Sequence, residues 1–166
     1  MTLKLTFGVL AFLAFTARVF AQTPSIKVHV GVSGSTSINT QLVLLISANE
    51  HFTLVTDYSD DVLLQVTCTE PSVAAFGTKP GAQLPHACAV NVIYDHYGIL
   101  GLNVNLGKGP YVMADFSSEG MAAEIYALLL QNTTPDKIAS AQADLSTQAE
   151  VLLSHRTVPS DKRGKQ

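Results

Sequence analysis

The sequence predicts an α/β fold of the α+β kind, a two-layer sandwich in which a mixed sheet of about five strands is covered by helices. Three observations predict it. Residues 26–56 read as strand, helix, strand; residues 62–106 keep a two-residue apolar period interrupted by turn residues; and two helical patterns close the folded part. The expected order is therefore β-α-β-β-β-β followed by two C-terminal helices.

A leader is expected ahead of these elements. Lys4 gives a positive start, residues 5–17 carry no charge and are mostly apolar, and Val19-Phe20-Ala21 ends the segment with residues suited to cleavage, so 1–21 read as a signal peptide. A helix over 5–17 would be about 20 Å long against a hydrocarbon core of roughly 30 Å, so no transmembrane anchor is expected once the leader is cut. Cleavage would leave Gln22 first, where a lipoprotein needs Cys. Removing 21 of the 166 residues leaves 145, the size of one domain; 22–154 are expected to form it, with 155–166 as a flexible basic tail.

Ile26, Val28, Val30 and Val32 alternate with Lys27, His29 and Gly31 in the pattern of a half-buried strand. The turn residues GVSGSTS follow, and Ile38, Leu42, Leu45 and Ile46 then recur at helical spacing. His51–Thr56 is rich in β-formers, which completes a β-α-β unit with its two strands parallel. After a turn at Asp57–Asp60, Val62, Leu64, Val66 and Cys68 share one face of a third strand. Residues 70–86, with three prolines and two glycines, predict a long surface loop. Cys88, Val90, Val92 and Tyr94 mark a fourth strand, and Leu100, Leu102, Val104 and Leu106 a fifth that continues a meander; Tyr111–Ala114 suit a short sixth.

Ser117 or Ser118 can cap a helix with the stripe Met121, Ile125, Leu128 and Leu129. Thr134-Pro135-Asp136 then supplies a cap, a first-turn proline and a first-turn acid for a last helix whose seam is Ile138, Ala141, Leu145, Ala149 and Leu152. This helix is expected to dock on the domain. Leu63, Ala89, Ile93 and Ile99 point away from the first aliphatic set, so the second sheet face is expected either to take a C-terminal helix or to be a partner surface.

Composition narrows the function. Residues 22–154 hold 12 acids against Lys27, Lys79, Lys108 and Lys137, a net of −8, and no Arg, which argues against nucleic-acid binding. Residues 155–166 hold four bases against Asp161, a net of +3, and read as a solvated terminus. Cys68 and Cys88, an even pair in an exported chain and each in phase with its strand's aliphatic face, are expected to form a disulfide.

The candidate site is the turn from Gly31 through Ser33, Gly34 and Ser35, where a strand, a glycine turn and a helix N-terminus present free N–H groups suited to an anion. It lacks the Lys of a nucleotide-binding loop, and a capped turn accounts for the same residues. His29, His51, His86, His96 and His155 fit no metal-ligand spacing, and Asp57, Asp60 and Asp61 lack a calcium-loop pattern, so no metal or cofactor is expected. No G-x-S-x-G elbow marks a nucleophile, and no catalytic residue is assigned. Asn132-Thr133-Thr134 is a glycosylation sequon that also suits a turn between helices.

The run INTQLVLLISANEHFTLVTD, with F-x-L-V at Phe52–Val55 and an Asp-rich turn leading into DVLLQVTCT, resembles small bacterial envelope modules: the TolB N-terminal domain, CsgG-like curli secretion proteins and LpoB-like synthase activators. The resemblance covers 26–69 and rests on core positions. It implies a periplasmic or secreted, non-enzymatic accessory module that binds an envelope or secreted protein partner. A small-ligand or anion carrier and a hydrolase with an unrecognised site are the alternatives.

Overall fold

The computed structural model describes residues 25–57, 59–69, 85–95 and 102–156. The expected leader, the expected loop over 70–84, His96, Ile99, Leu100 and the residues from 157 lie outside them, and so do the side chains of His155 and Arg156.

The elements are β1 (Ile26–Ser33), α1 (Thr36–Ser47), β2 (Phe52–Val55), β3 (Val62–Thr69), β4 (His86–Asp95), β5 (Asn103–Asn105), β6 (Tyr111–Asp115), α2 (Ser118–Asn132) and α3 (Pro135–Arg156). They form the expected two-layer sandwich, with a mixed six-stranded sheet on one side. β1 lies inside the sheet, parallel to β2 on one flank, because the α1 crossover returns the chain in the same direction, and parallel to β3 on the other. β3 and β4 are antiparallel, and their register sets Cys68 opposite Cys88.

One strand boundary differs from the sequence reading, and one pairing is not announced by it. β4 begins at His86, which the sequence places in the loop, because His86 and Ala87 find a partner in β6 that no local pattern announces. β6 does not extend the meander beyond β5: both strands pair with β4, β6 along His86–Val90 and β5 along Ile93–Asp95. The turn between them folds tightly. The Tyr111 side chain closes on Gly107, where a Cβ would strike its hydroxyl, and packs tightly on Gly109, and Lys108 N donates to Tyr111 Oη at 3.1 Å, which brings the chain back onto β4.

The core lies between the sheet and the helices. Val28, Val62, Leu64, Val66, Val90 and Val92 face Ile38, Leu42 and Ile46 of α1 and Met121, Ala122, Ile125 and Leu129 of α2, all buried. Spacing by four on α1 keeps its three isoleucine and leucine side chains on one stripe, and each stabilises by roughly 1.5–3 kcal/mol when taken fully out of water. The Cys68–Cys88 disulfide forms within this layer, its Cα atoms 4.1 Å apart and both residues buried.

α3 docks by its first half. Ala141 and Leu145 are buried, Ile138 packs on the core, and Gln142 Nε2 donates to Tyr94 Oη at 2.9 Å. The seam stops there: Ala149 is half-buried, and Val151, Leu152 and Leu153 are 51%, 41% and 53% exposed. A helix of 22 residues is about 33 Å long and runs past the three-residue β5 on which it packs. All three described helices pack toward the core side. No described helix lies on the other sheet face, where Leu63, Ala89 and Ile93 are half-buried and Val112 is 80% exposed. No helix among the described residues is long and apolar enough to cross a membrane.

Candidate functional site

The two ends of the sandwich differ in chemistry. At the first, the C-terminal end of β1 meets the N-termini of α1 and α2, which lie side by side: Ser37 Oγ and Ser118 Oγ share a hydrogen bond of 2.9 Å. Open parallel sheets bind ligands at such edges, where unsatisfied helix N–H groups converge. Of the turn residues, Gly31 is inside β1, Ser33 ends it with Oγ donating to Val66 O at 3.5 Å, and Gly34 makes the turn at φ +85°. Only glycine fits at 34, since a Cβ would collide with the Cys68 carbonyl. Ser35 is the N-cap of α1: it is buried, and its Oγ accepts from Ile38 N at 3.4 Å and shares a bond with Ser37 Oγ at 3.1 Å.

The neighbouring helix start is satisfied in the same way. Ser117 Oγ accepts from Gly120 N at 2.9 Å, while Asp115 Oδ1 accepts from Ser117 N at 2.7 Å and from Ser117 Oγ at 3.1 Å. The chain's own carboxylate thus sits where the helix dipole favours negative charge. His86 stands opposite Asp115 in the β4–β6 ladder, and its Nδ1 is buried without a hydrogen-bond partner among the described residues. Ser, His and Asp therefore meet at one end, but the hydrogen bonds run from serine to aspartate and omit the imidazole, which is not the relay that activates a serine nucleophile.

At the opposite end the surface is apolar. Ile26 and Phe52, paired where β1 and β2 begin, form with Leu130, Pro135, Ile138 and Ala139 a cavity of about 490 Å³; Thr133, Gln142 and His51 supply its polar groups. Four elements build it. The α2–α3 turn is closed by Thr133 Oγ1 donating to Leu129 O at 2.8 Å and by Asn132, which uses Nδ2 on Leu128 O at 2.9 Å while Lys137 Nζ donates to its Oδ1 at 2.7 Å. Phe52 is held edge-on by Tyr126, ring centroids 6.4 Å apart, and Tyr126 Oη accepts from Asn49 Nδ2 at 2.6 Å. A shallower hollow beyond His51 is lined by Leu45, Ala48, Asn49, Glu50 and Tyr126. The cavity between the β1–β2 end and the α2–α3 turn has the size and apolar lining of a site for a small molecule or an anchoring side chain.

Sequence reasoning misses this cavity, although Ile26 belongs to the first strand's alternation and Ile138 to the last helix's seam, because its residues come from segments up to 116 positions apart whose convergence no periodicity encodes. Asn132 is 2% exposed with Nδ2 engaged, so the folded domain offers no amide for a glycan there. The acids of the β2–β3 turn serve the backbone: Asp61 Oδ2 accepts from Lys27 N at 2.9 Å, and Asp57 Oδ1 accepts from Ser59 Oγ at 2.6 Å, a bond that lowers the Asp57 pKa. Asp60 is buried. No group of three potential ligands that could hold a metal ion occurs among the described residues. No protein-family model and no curated protein sequence matches the chain.

Proposed function

We propose that the chain is an exported accessory module of the bacterial cell envelope or the secreted fraction, and that it binds a protein partner by taking an apolar anchor side chain into the cavity between the β1–β2 end and the α2–α3 turn. The observation that supports this reading is the lining: six apolar residues surround about 490 Å³ with no Lys, Arg, Asp or Glu among them. Such a surface gains from burial of an aromatic or aliphatic group and supplies no obvious acid, base or nucleophile beyond one histidine at its edge. The leader expected from the sequence and the disulfide both fit an oxidising compartment outside the cytoplasm.

The test is affinity capture from an envelope extract with the wild type and with Ala139→Arg. Ala139 is exposed and lines the cavity, so arginine fills the site without touching the core. One abundant partner held by the wild type and lost by a variant of unchanged melting temperature is the expected result. Equal recovery by both removes the cavity from the interaction.

The second reading, a carrier of a small apolar ligand, draws on the same volume. It is separated by melting the purified chain with extracted envelope lipids: a ligand at about 100 times its Kd stabilises by about 2.7 kcal/mol, whereas an anchor pocket is left unchanged.

A further inference from the structure

One side of the β2 backbone has no partner strand. Ile26 N donates to His51 O at 2.9 Å, and the parallel register sets Ile26 beside Phe52 and Val28 beside Leu54, so His51, Thr53 and Val55 turn their backbone groups toward β1. By the same alternation the Phe52 carbonyl and both backbone groups of Leu54 point the other way, where β2 ends the sheet and no described strand meets them. Phe52 N is already engaged, donating to Asn49 O at 3.1 Å in the turn before the strand. Open edges template pairing with another chain, and lysine, proline or a bulge ordinarily guards them. β2 has none of these: Phe52-Thr53-Leu54-Val55 holds no charge and no proline, and its register with β1 skips no residue. What singles out this edge is the cavity at its start, since Phe52 lines the cavity and also carries the first unpaired carbonyl.

We infer that the partner arrives as an extended segment that adds to β2 as a further strand, with its anchor side chain beside Phe52 at the cavity and basic residues at its flanks. This rests on the reading of the cavity as an anchor site, and it names the form and charge of what enters. A strand added about 5 Å from β2 takes its hold from main-chain bonds to Phe52 and Leu54, while the side chain seated at the cavity selects the sequence. The four residues of β2 span about 13 Å, so the flanks of the segment fall near Glu50 and Asp57, exposed acids just before and just after the strand. No Lys or Arg stands between those two acids, and the body carries a net of −8, which favours Lys or Arg on the incoming chain. A second copy fits this edge poorly: antiparallel pairing of two β2 strands would bring Glu50 of each near Asp57 of the other.

The probe is a library of random twelve-residue peptides displayed on phage and panned on the chain from Gln22, which holds every described element. Enriched peptides should alternate apolar and polar residues over about four positions and carry Lys or Arg at the flanks, each of which, replaced by glutamine, weakens binding by up to about fivefold. N-methylation along the synthetic peptides should cost about tenfold or more at every second nitrogen, the ones that face β2, and little at those between. Leu54→Pro removes an outward donor and no bond to β1, so it should weaken binding at least about tenfold; should that variant fail to fold, the N-methyl pattern decides alone. Absence of enriched peptides, N-methyl losses without a two-residue period, or indifference to a folded Leu54→Pro overturns the proposal. A dimer in light scattering that Leu54→Pro dissolves does so too, by giving the edge to a second copy. Ala139→Arg separates the two readings: binding that it abolishes but that ignores N-methylation keeps the cavity and sinks the strand, whereas a two-residue period that survives it keeps the strand and sinks the cavity.

Discussion

Breaking the Cys68–Cys88 bond should lower the melting temperature by roughly 10 °C without changing the fold. The bridge joins residues 20 apart in sequence, and closing a loop of that length removes unfolded-state entropy worth about 3 kcal/mol. The folded state should give little of this back. The two cysteines already face one another in a continuous β3–β4 ladder from Val62–Tyr94 to Thr69–Ala87, so hydrogen bonds set the register with or without the sulfur link. For a domain of this size each kcal/mol corresponds to about 3–4 °C. Both cysteines are at most 6% exposed, so reduction is done in denaturant, followed by refolding with reductant present. The oxidised and reduced chains then differ by one bond and two hydrogens, with every heavy atom kept, which a Cys→Ala pair cannot match. Circular dichroism should give superimposable folded spectra, with mass spectrometry confirming the redox state. Melting temperatures within about 2 °C would refute the entropic argument, and loss of the folded spectrum would show that the bond, not the ladder, holds β4 in place.

Other expectations concern individual side chains. Leu145→Ala should cost about 2–4 kcal/mol in urea unfolding, while Leu152→Ala, seven residues on, should stay within about 0.5 kcal/mol; equal effects would mean that α3 is docked along its whole length. Gly34→Ala forces a left-handed φ on alanine and drives its Cβ into the Cys68 carbonyl, so a loss of about 3 kcal/mol or failure to fold is expected, measured by denaturant titration. Asp57 should titrate below its ordinary value of 3.8 because Ser59 Oγ hydrogen-bonds the ionised form. Its contribution is present above the unfolded value and is lost as pH falls through the lower folded one, and Ser59→Ala should move the NMR midpoint of the carboxyl upward. Asn132→Ala, which strips the partner from Lys137 and Leu128, should cost about 1–3 kcal/mol by thermal unfolding.

The order of elements was readable because each carries its own period: Val28 to Val32 and Val62 to Cys68 alternate, and Ile38, Leu42 and Ile46 recur by four. The phase of those alternations also put Cys68 and Cys88 on the same face, and that was enough to pair them. What escaped is non-local. The partner of His86 and Ala87 is β6, nearly thirty residues on, and it is selected by the Gly107–Tyr111 packing of a turn rather than by any alternation in β4. The end of the α3 seam was invisible for a related reason. Leu152 continues the stripe of Leu145 perfectly well by angle, and only the three-residue length of β5 decides that no described strand lies beneath it. The cavity at the β1–β2 end is likewise a property of four elements meeting, while the serine-rich turn, readable from local sequence, holds hydroxyls bonded to the chain's own groups.

Because β1 is flanked by β2 and β3, and β1 comes first, the leading ribbon of this domain has no neighbour on either edge while it emerges. Synthesis delivers the inner ribbon before its flanks, so a chain growing from its amino end leaves both edges of β1 unpaired until β2 and then β3 have appeared, about forty residues in all. Holding factors that shield nascent apolar segments should therefore engage this chain early, and a version permuted to begin near residue 103 would shift that demand to a different stretch.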